Sequence, residues 1–254
     1  MKHPETKRLV PGAKYAVLFI HGIVGTPNHF RKAVDLEALV PQEWSCRNLL
    51  LPGHGQGVKE FAESSGKQWG AYVRDEFLEL AESHEAVLIA GHSMGTLFAL
   101  QLAEEYPEKV CGLFLLNVPL RPWLRLWGIA NCTRLALGRV RTRIPREEAI
   151  LTACGSEPTK CLWRYLTWIP RFLDLFGQIS RTESSLTEPE MPYQIIHSCK
   201  DELVSNRTVP VLRRKGLVQI KELEHSTHFY YIPAEKEEIV TAFWEMLCAI
   251  STKS

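Results

Sequence analysis

One serine in this chain stands where a nucleophile would. Gly91-His92-Ser93-Met94-Gly95 has the G-x-S-x-G spacing. It follows the apolar run Ala86–Ala90 and opens a stretch, Met94 to Glu105, that carries Leu97, Leu100 and Leu102 and stops near Pro107. The pentapeptide alone is a weak signal. A strand that turns sharply into a helix is the setting that presents such a serine, with glycines on both sides leaving room for close approach. Ser93 then lies at a helix N-terminus, where unpaired amides and the dipole favour developing negative charge. The competing reading is an ordinary strand-to-helix turn with a capping serine.

A serine hydroxyl is a poor nucleophile until a base takes its proton. Among the nine histidines, His225 and His228 lie in Glu224-His225-Ser226-Thr227-His228-Phe229, after the last expected strand and before the closing helix. Position alone leaves both as candidate bases. An H-x-x-H metal pair has no convincing third ligand, and no metal or cofactor is expected. The base needs a carboxylate to hold one tautomer. Asp201 sits in the turn Ser198-Cys199-Lys200-Asp201-Glu202 after the expected strand Tyr193–His197, with Glu202 as its rival. For the oxyanion, one backbone N–H comes from the residue after the nucleophile, here Met94. The other comes from the loop after an early strand, His21-Gly22-Ile23-Val24-Gly25, with Ile23 as candidate and Gly22 allowing close approach.

The elements that position these groups follow from the hydrophobic pattern. Strands are expected at Tyr15–Ile20, Arg47–Leu51, Ala86–Ala90, Val110–Leu116, Tyr193–His197 and Leu217–Leu223, with a further, antiparallel one at Arg8–Val10. Helices are expected from Thr26 as N-cap with Pro27 first, running to Leu39; from a Ser65 cap through Trp69, Tyr72, Val73 and Phe77; at Met94–Glu105; around Val209–Arg213; and from Ala234 to about Ile250. Alternation of this kind implies a mostly parallel sheet of six or seven strands with helices on both faces.

Residues 121–187 break the alternation and are too long for a plain loop. The aromatic and leucine clusters Trp123-Leu124, Leu126-Trp127, Leu162-Trp163, Tyr165-Leu166, Trp168-Ile169, Phe172-Leu173 and Leu175-Phe176 mark a helical insertion, as do many arginines. The expectation is a core of residues 1–120 and 188–254, with 121–187 as a cap whose apolar underside forms an acyl pocket. The bland alternative is a segment that completes the fold with solvated arginines.

Composition sets bounds. The chain has 254 residues, 45% of them hydrophobic and 23% charged, with a net charge of +1. That balance gives no reason to expect nucleic acid, and no apolar run is long enough to span a bilayer. The seven cysteines are irregularly spaced without C-x-x-C, which suits reduced thiols and a cytoplasmic location better than a disulfide framework or zinc site. Tyr15–Ile20 reads as a buried strand rather than a signal-peptide core.

These residues resemble the bacterial carboxylesterases and monoacylglycerol lipases of the α/β-hydrolase superfamily. The resemblance rests on Val17-Leu18-Phe19-Ile20-His21-Gly22, Leu51-Pro52-Gly53-His54-Gly55, the Ser93 pentapeptide, Cys199-Lys200-Asp201-Glu202 and Ser226-Thr227-His228. It covers the chain except the insertion. It implies an α/β-hydrolase fold with Ser93, Asp201 and His228 as the catalytic triad in chain order, a helical cap, no cofactor, and a small-molecule carboxylic or monoglyceride ester as substrate. Ser226-Thr227-His228 has threonine where the family commonly has glycine, and the match favours His228 over His225. His54 is read as structural, and His92, which flanks the nucleophile, as a packing or hydrogen-bonding residue. A thioesterase, peptidase or lysophospholipase on the same triad is a rival, as is a non-catalytic binding protein. Relatives that use a carboxylate in place of the serine are disfavoured. From the insertion's aromatic content, initial rates on p-nitrophenyl esters are expected to be greatest for short to medium acyl chains. A steady climb to the longest chain would contradict this.

Overall fold

A computed structural model describes residues 4–123, 125, 128, 130, 133–134, 137–155, 159 and 161–252. Leu124, Leu126, Trp127, Cys132 and Lys160 lie outside the described residues. Seven strands form one sheet: β1 (Thr6–Arg8), β2 (Tyr15–Ile20), β3 (Ser45–Asn48), β4 (Ala86–His92), β5 (Val110–Leu116), β6 (Tyr193–Ser198) and β7 (Ile220–Leu223), in the order β1-β3-β2-β4-β5-β6-β7. Only β1 is antiparallel to its neighbour, pairing Thr6 with Asn48. The other pairs are parallel.

Strand periodicity divides the core between the sheet's two faces. On β2, Ala16, Leu18 and Ile20 join one cluster with Trp69, Phe77, Leu97 and Leu113. Val17 and Phe19 join the other with Phe30, Phe114, Phe243 and Leu247. The first cluster is covered by α1 (Val58–Glu63), α2 (Gly66–Ser83) and α3 (Met94–Glu105). As expected, Ser65 caps α2, its hydroxyl accepting from the Gln68 N–H at 3.2 Å.

The helix expected from Thr26 to Leu39 is not continuous. A π-helical turn spans His29–Ala33, with Asn28 at its N-cap, and a separate 3₁₀ turn spans Glu37–Leu39. Asp35, at φ 61°, breaks the run between them. Thr26 does not cap, because its hydroxyl donates instead to the Ala153 carbonyl at 3.1 Å. Boundaries also shift: the antiparallel strand lies at Thr6–Arg8 rather than Arg8–Val10, β3 lies earlier than Arg47–Leu51, and β7 begins at Ile220 rather than Leu217.

Between β5 and β6 run α4 (Pro145–Ala153), a 3₁₀ stretch Leu162–Trp168 and α5 (Ile169–Ser185). The start of this segment is bonded to the loop after β6: the Trp123 N–H donates to Leu203 O and the Ser205 N–H to Arg121 O. Further along, the Trp168 indole donates to Val58 O at 2.9 Å, and the Gly66 N–H donates to Asp174 at 3.0 Å. Trp168, Leu175 and Ile179 bury against the first cluster. Ile150, Ala153 and Cys154 of the same segment bury against Phe229. Trp163 (79% exposed), Leu166, Ile169, Leu173 and Phe176 face outward. The helical repeat places Ile169, Leu173 and Phe176 on a face turned about 100° around the helix from that of Leu175 and Ile179. The chain then closes with α6 (Thr208–Arg214) and α7 (Pro233–Ser251).

A Cβ added at Gly95 would lie 1.9 Å from the carbonyl oxygen of Ile20, a backbone atom that cannot step aside. Gly177, inside α5, has nothing within 4 Å of that position. Gly95→Ala is therefore expected to lower unfolding free energy by about 3 kcal/mol or more. Gly177→Ala should raise it by about 0.5–1 kcal/mol. Urea midpoints of the two variants check the contrast, and equal stabilities would refute it.

Candidate active site

The described candidates gather at the C-terminal edge of the parallel strands. Gly22 and Ile23 follow β2, Ser93 directly follows β4, Asp201 follows β6 and His228 lies in the loop after β7. Side-chain alternation within a strand cannot present a serine at this edge. The turn does so by forcing Ser93 to φ 51° and ψ −122°, a region costly for a residue with a Cβ. Three glycines make the turn fit. A Cβ at Gly91 would lie 2.8 Å from the Thr96 backbone, one at Gly22 would lie 2.8 Å from the Ser93 Cβ, and Gly95 abuts Ile20. The Ser93 N–H is held by Leu116 O at 2.9 Å, and the Ser93 carbonyl accepts from the Thr96 N–H and hydroxyl. Met94 is the first residue of α3, so its N–H has no intrahelical acceptor. Ile23 sits in a turn closed by the Gly25 N–H to Gly22 O, with Val24 at φ 58°.

Geometry separates the rival acids and bases. His228 Nδ1 donates to Asp201 Oδ2 at 2.6 Å, leaving Nε2 with its lone pair. The other Asp201 oxygen accepts from the Leu203 and Val204 N–H groups. Glu202 instead accepts the His228 backbone N–H at 3.1 Å. The His225 side chain is 65% exposed, whereas that of His228 is 2% exposed. Among the described residues, no group of three or more His, Cys, Asp or Glu side chains is placed to hold a metal ion.

Charge and burial shape these groups. Burial opposes the charged form of His228, but the charge of Asp201, its hydrogen bond and the charge of Glu202 outweigh that and leave the imidazole's pKa raised above 6.5. Stability gained from this pairing is present below the unfolded pKa and is lost as pH rises through the folded one. The Glu202 carboxyl is pushed up by burial and then by Asp201.

Four supports escaped sequence reasoning. The Leu51 N–H donates to His21 Nε2 at 3.1 Å, which puts the proton on Nδ1, 2.8 Å from Gly22 O, and so fixes the loop carrying Ile23. Asn117, at φ 55°, accepts the Ser198 N–H at 2.8 Å and steadies the start of the Asp201 turn. Glu235 accepts the N–H groups of His225 and Ser226 and bonds the Ser226 hydroxyl. The last is His29, both ring nitrogens of which lack partners; it is buried and stacks on His92 at 3.6 Å. His92 is a hydrogen-bonding residue, as the sequence implied: its Nε2 meets the His228 carbonyl at 3.1 Å. Burial, and then neighbouring histidines, hold both His29 and His92 well below the usual imidazole range, so each is neutral. Neutral His92 can place its proton on Nε2 and donate to that carbonyl. His54 packs between His21 and Trp69 with its Nδ1 3.2 Å from Pro52 O.

The sheet order, the strained serine turn and the site at the strand ends define an α/β-hydrolase architecture. Residues 17–242 match the model of the alpha/beta hydrolase family, and the chain belongs to that family. It is 30% identical over 101 residues to a thermostable monoacylglycerol lipase of Bacillus sp. (strain H-257), a match covering 40% of this chain and 39% of the relative. It is 33% identical over 106 residues to the dihydrolipoyllysine-residue acetyltransferase component of an acetoin cleaving system from Cupriavidus necator, covering 42% of this chain but only 27% of the relative. The matched stretches thus span well under half of these relatives. Among solved structures, one described under the metagenome-derived lipolytic enzymes LipS and LipT superposes with a TM-score of 0.72 at 20% identity, covering 97% of this chain and 98% of that one. The monoacylglycerol lipase of Paleococcus ferrophilus gives 0.64 at 17% identity, covering 98% and 100%. At these identities the structures show a shared fold. No helix among the described residues is long and apolar enough to cross a membrane.

An NMR titration of the His228 ring should give a midpoint above 6.5 in the native protein. In Asp201→Asn the opposing effect of burial remains and the midpoint should fall. An unchanged midpoint would show that Asp201 does not set the charge of this imidazole.

Proposed function

We propose that the protein is a serine hydrolase that cleaves carboxylic esters of short to medium acyl chain through an acyl-enzyme. The observation that carries this reading is the buried His228–Asp201 hydrogen bond of 2.6 Å in a chain whose Ser93 sits on a strained strand-to-helix turn. In the proposed reaction, Ser93 Oγ attacks the ester carbonyl carbon while its proton passes to His228 Nε2. The carbonyl electron pair moves onto the oxygen, where the N–H groups of Ile23 and Met94 receive it. Collapse expels the alcohol, which takes the proton from Nε2. Water, deprotonated by the same nitrogen, then releases the acid and restores Ser93. Asp201 keeps the Nδ1–H tautomer and stabilises the imidazolium.

Residues 121–187 serve in this reading as the cap over the site. What supports that role is the contact between α4 and the oxyanion loop: Thr26 bonds the Ala153 carbonyl, and Gly25 bridges Cys154 in antiparallel fashion. Carboxylesterase activity and a cytoplasmic location belong to the same proposal.

A fluorophosphonate should label Ser93 in the native protein and leave Ser93→Ala unlabelled, with esterase turnover in the variant down by at least about 10⁴-fold. Because only the neutral imidazole accepts the proton, and its pKa is raised, kcat/KM should fall on the acid side from a midpoint above 6.5. A native protein that is folded but neither labelled at Ser93 nor active on p-nitrophenyl esters would overturn the reading.

A further inference from the structure

Arginines in the 121–187 segment are in several cases matched by acids. Arg121 pairs with Glu183, Arg134 and Arg141 pair with Glu147, and Arg171 pairs with Asp174. Arg125 and Arg146 are not matched in this way. With Lys200, His225 and Ile232 they line a cavity of about 220 Å³, and among the described residues no acidic side chain lines it. These groups come from separate parts of the chain: the start of the segment, the first turn of α4, the turn after β6 and the turn after β7. None of Arg125, Arg146 and Lys200 makes an ion pair with a described residue.

The acids nearby are already engaged or project into solvent. Asp201 and Glu202 are buried and bonded to His228 and to backbone amides. Glu235 is taken up by the His225–Ser226 backbone. Glu224, 84% exposed, has a carboxylate oxygen 3.9 Å from His225 Nε2. One of the cations is also pre-positioned. The Arg125 N–H donates to Glu202 O at 3.2 Å, and its guanidinium lies 4.4 Å from the ring centre of Trp123. Cations that border a concave, carbon-walled space raise the positive potential there, and that potential is relieved by an anion.

We propose that this cavity binds an anionic group, a phosphate or a carboxylate. Arg125 and Arg146 supply planar donor forks, Lys200 a point charge and His225 a further ring donor. The site adjoins the candidate catalytic pair through the chain itself. Lys200 directly precedes Asp201, and His225 lies one turn of loop before His228. Arg146 lies in the first turn of α4, whose far end, about 10 Å along the helix axis, carries the Ala153 carbonyl that binds Thr26 of the oxyanion loop. An anion here is either a head group on the ester substrate or a free ion.

Calorimetric titration with inorganic phosphate at low ionic strength tests the binding without reference to hydrolysis. Saturable binding is expected in the native protein, and binding about tenfold weaker in the folded double variant Arg146→Gln/Lys200→Gln. No saturable binding, or equal affinity in the variant, overturns the proposal. A second arm assigns the source and rests on the esterase reading. If KM for a 1-acylglycerol 3-phosphate rises about tenfold in the variant while that for the uncharged 1-acylglycerol stays within about twofold, the anion belongs to the substrate. If phosphate binding is weakened and neither KM changes, it is a free ion. Should neither ester be turned over, the esterase reading fails while the calorimetry still decides the site.

Discussion

Everything at the site hangs on a backbone conformation that an L-residue avoids. Ser93 at φ 51° is stable only because its neighbours leave no other path. The crossing of β4 into α3 is so tight that a side chain at Gly91 would meet Thr96 and one at Gly95 would meet Ile20. The hydroxyl is thereby lifted out of the sheet's two-residue alternation, in which it would otherwise point into one of the two cores. The same close approach brings Gly22 against the Ser93 Cβ, so the turn and the oxyanion loop are set by one packing constraint.

A second constraint is electrostatic. Asp201 and Glu202 are adjacent carboxyl groups, both buried, and burial of like charges is costly unless each finds donors. They divide the same histidine: Asp201 takes the ring, Glu202 the backbone N–H. His92 approaches the remaining backbone group, the carbonyl, from the strand that ends at Ser93. The imidazole is thus held through its ring, its amide and its carbonyl, by residues from the ends of two different strands. Neutral His29 stacked behind His92 adds packing without adding charge.

The 121–187 segment answers to different physics. Its junctions are fixed by backbone bonds to the loop after β6 and by the indole of Trp168 reaching Val58. Its outer face leaves Trp163, Leu173 and Phe176 exposed. Among its arginines, Arg121, Arg134, Arg141 and Arg171 are matched by acids, while Arg125 and Arg146 line the basic cavity. Composition alone treats all of them as one cationic segment.

Much of this was legible in the residues. The strands Tyr15–Ile20 and Val110–Leu116 and the helix Met94–Glu105 were readable because buried parallel strands and apolar helices leave short, strong patterns. Ser93 was readable because glycine spacing around a serine records a steric demand local to a few residues. Thr26 was misread as a cap because its partner, Ala153, lies 127 residues away. Sequence position favoured Asp201 with Glu202 as its rival and left His225 level with His228, and only the resemblance ranked the histidines. The tertiary structure supplied the geometry, since which carboxylate faces which imidazole depends on how two strand ends meet in space. Local sterics are written in adjacent residues, whereas pairing across the sheet is decided only once the chain has closed.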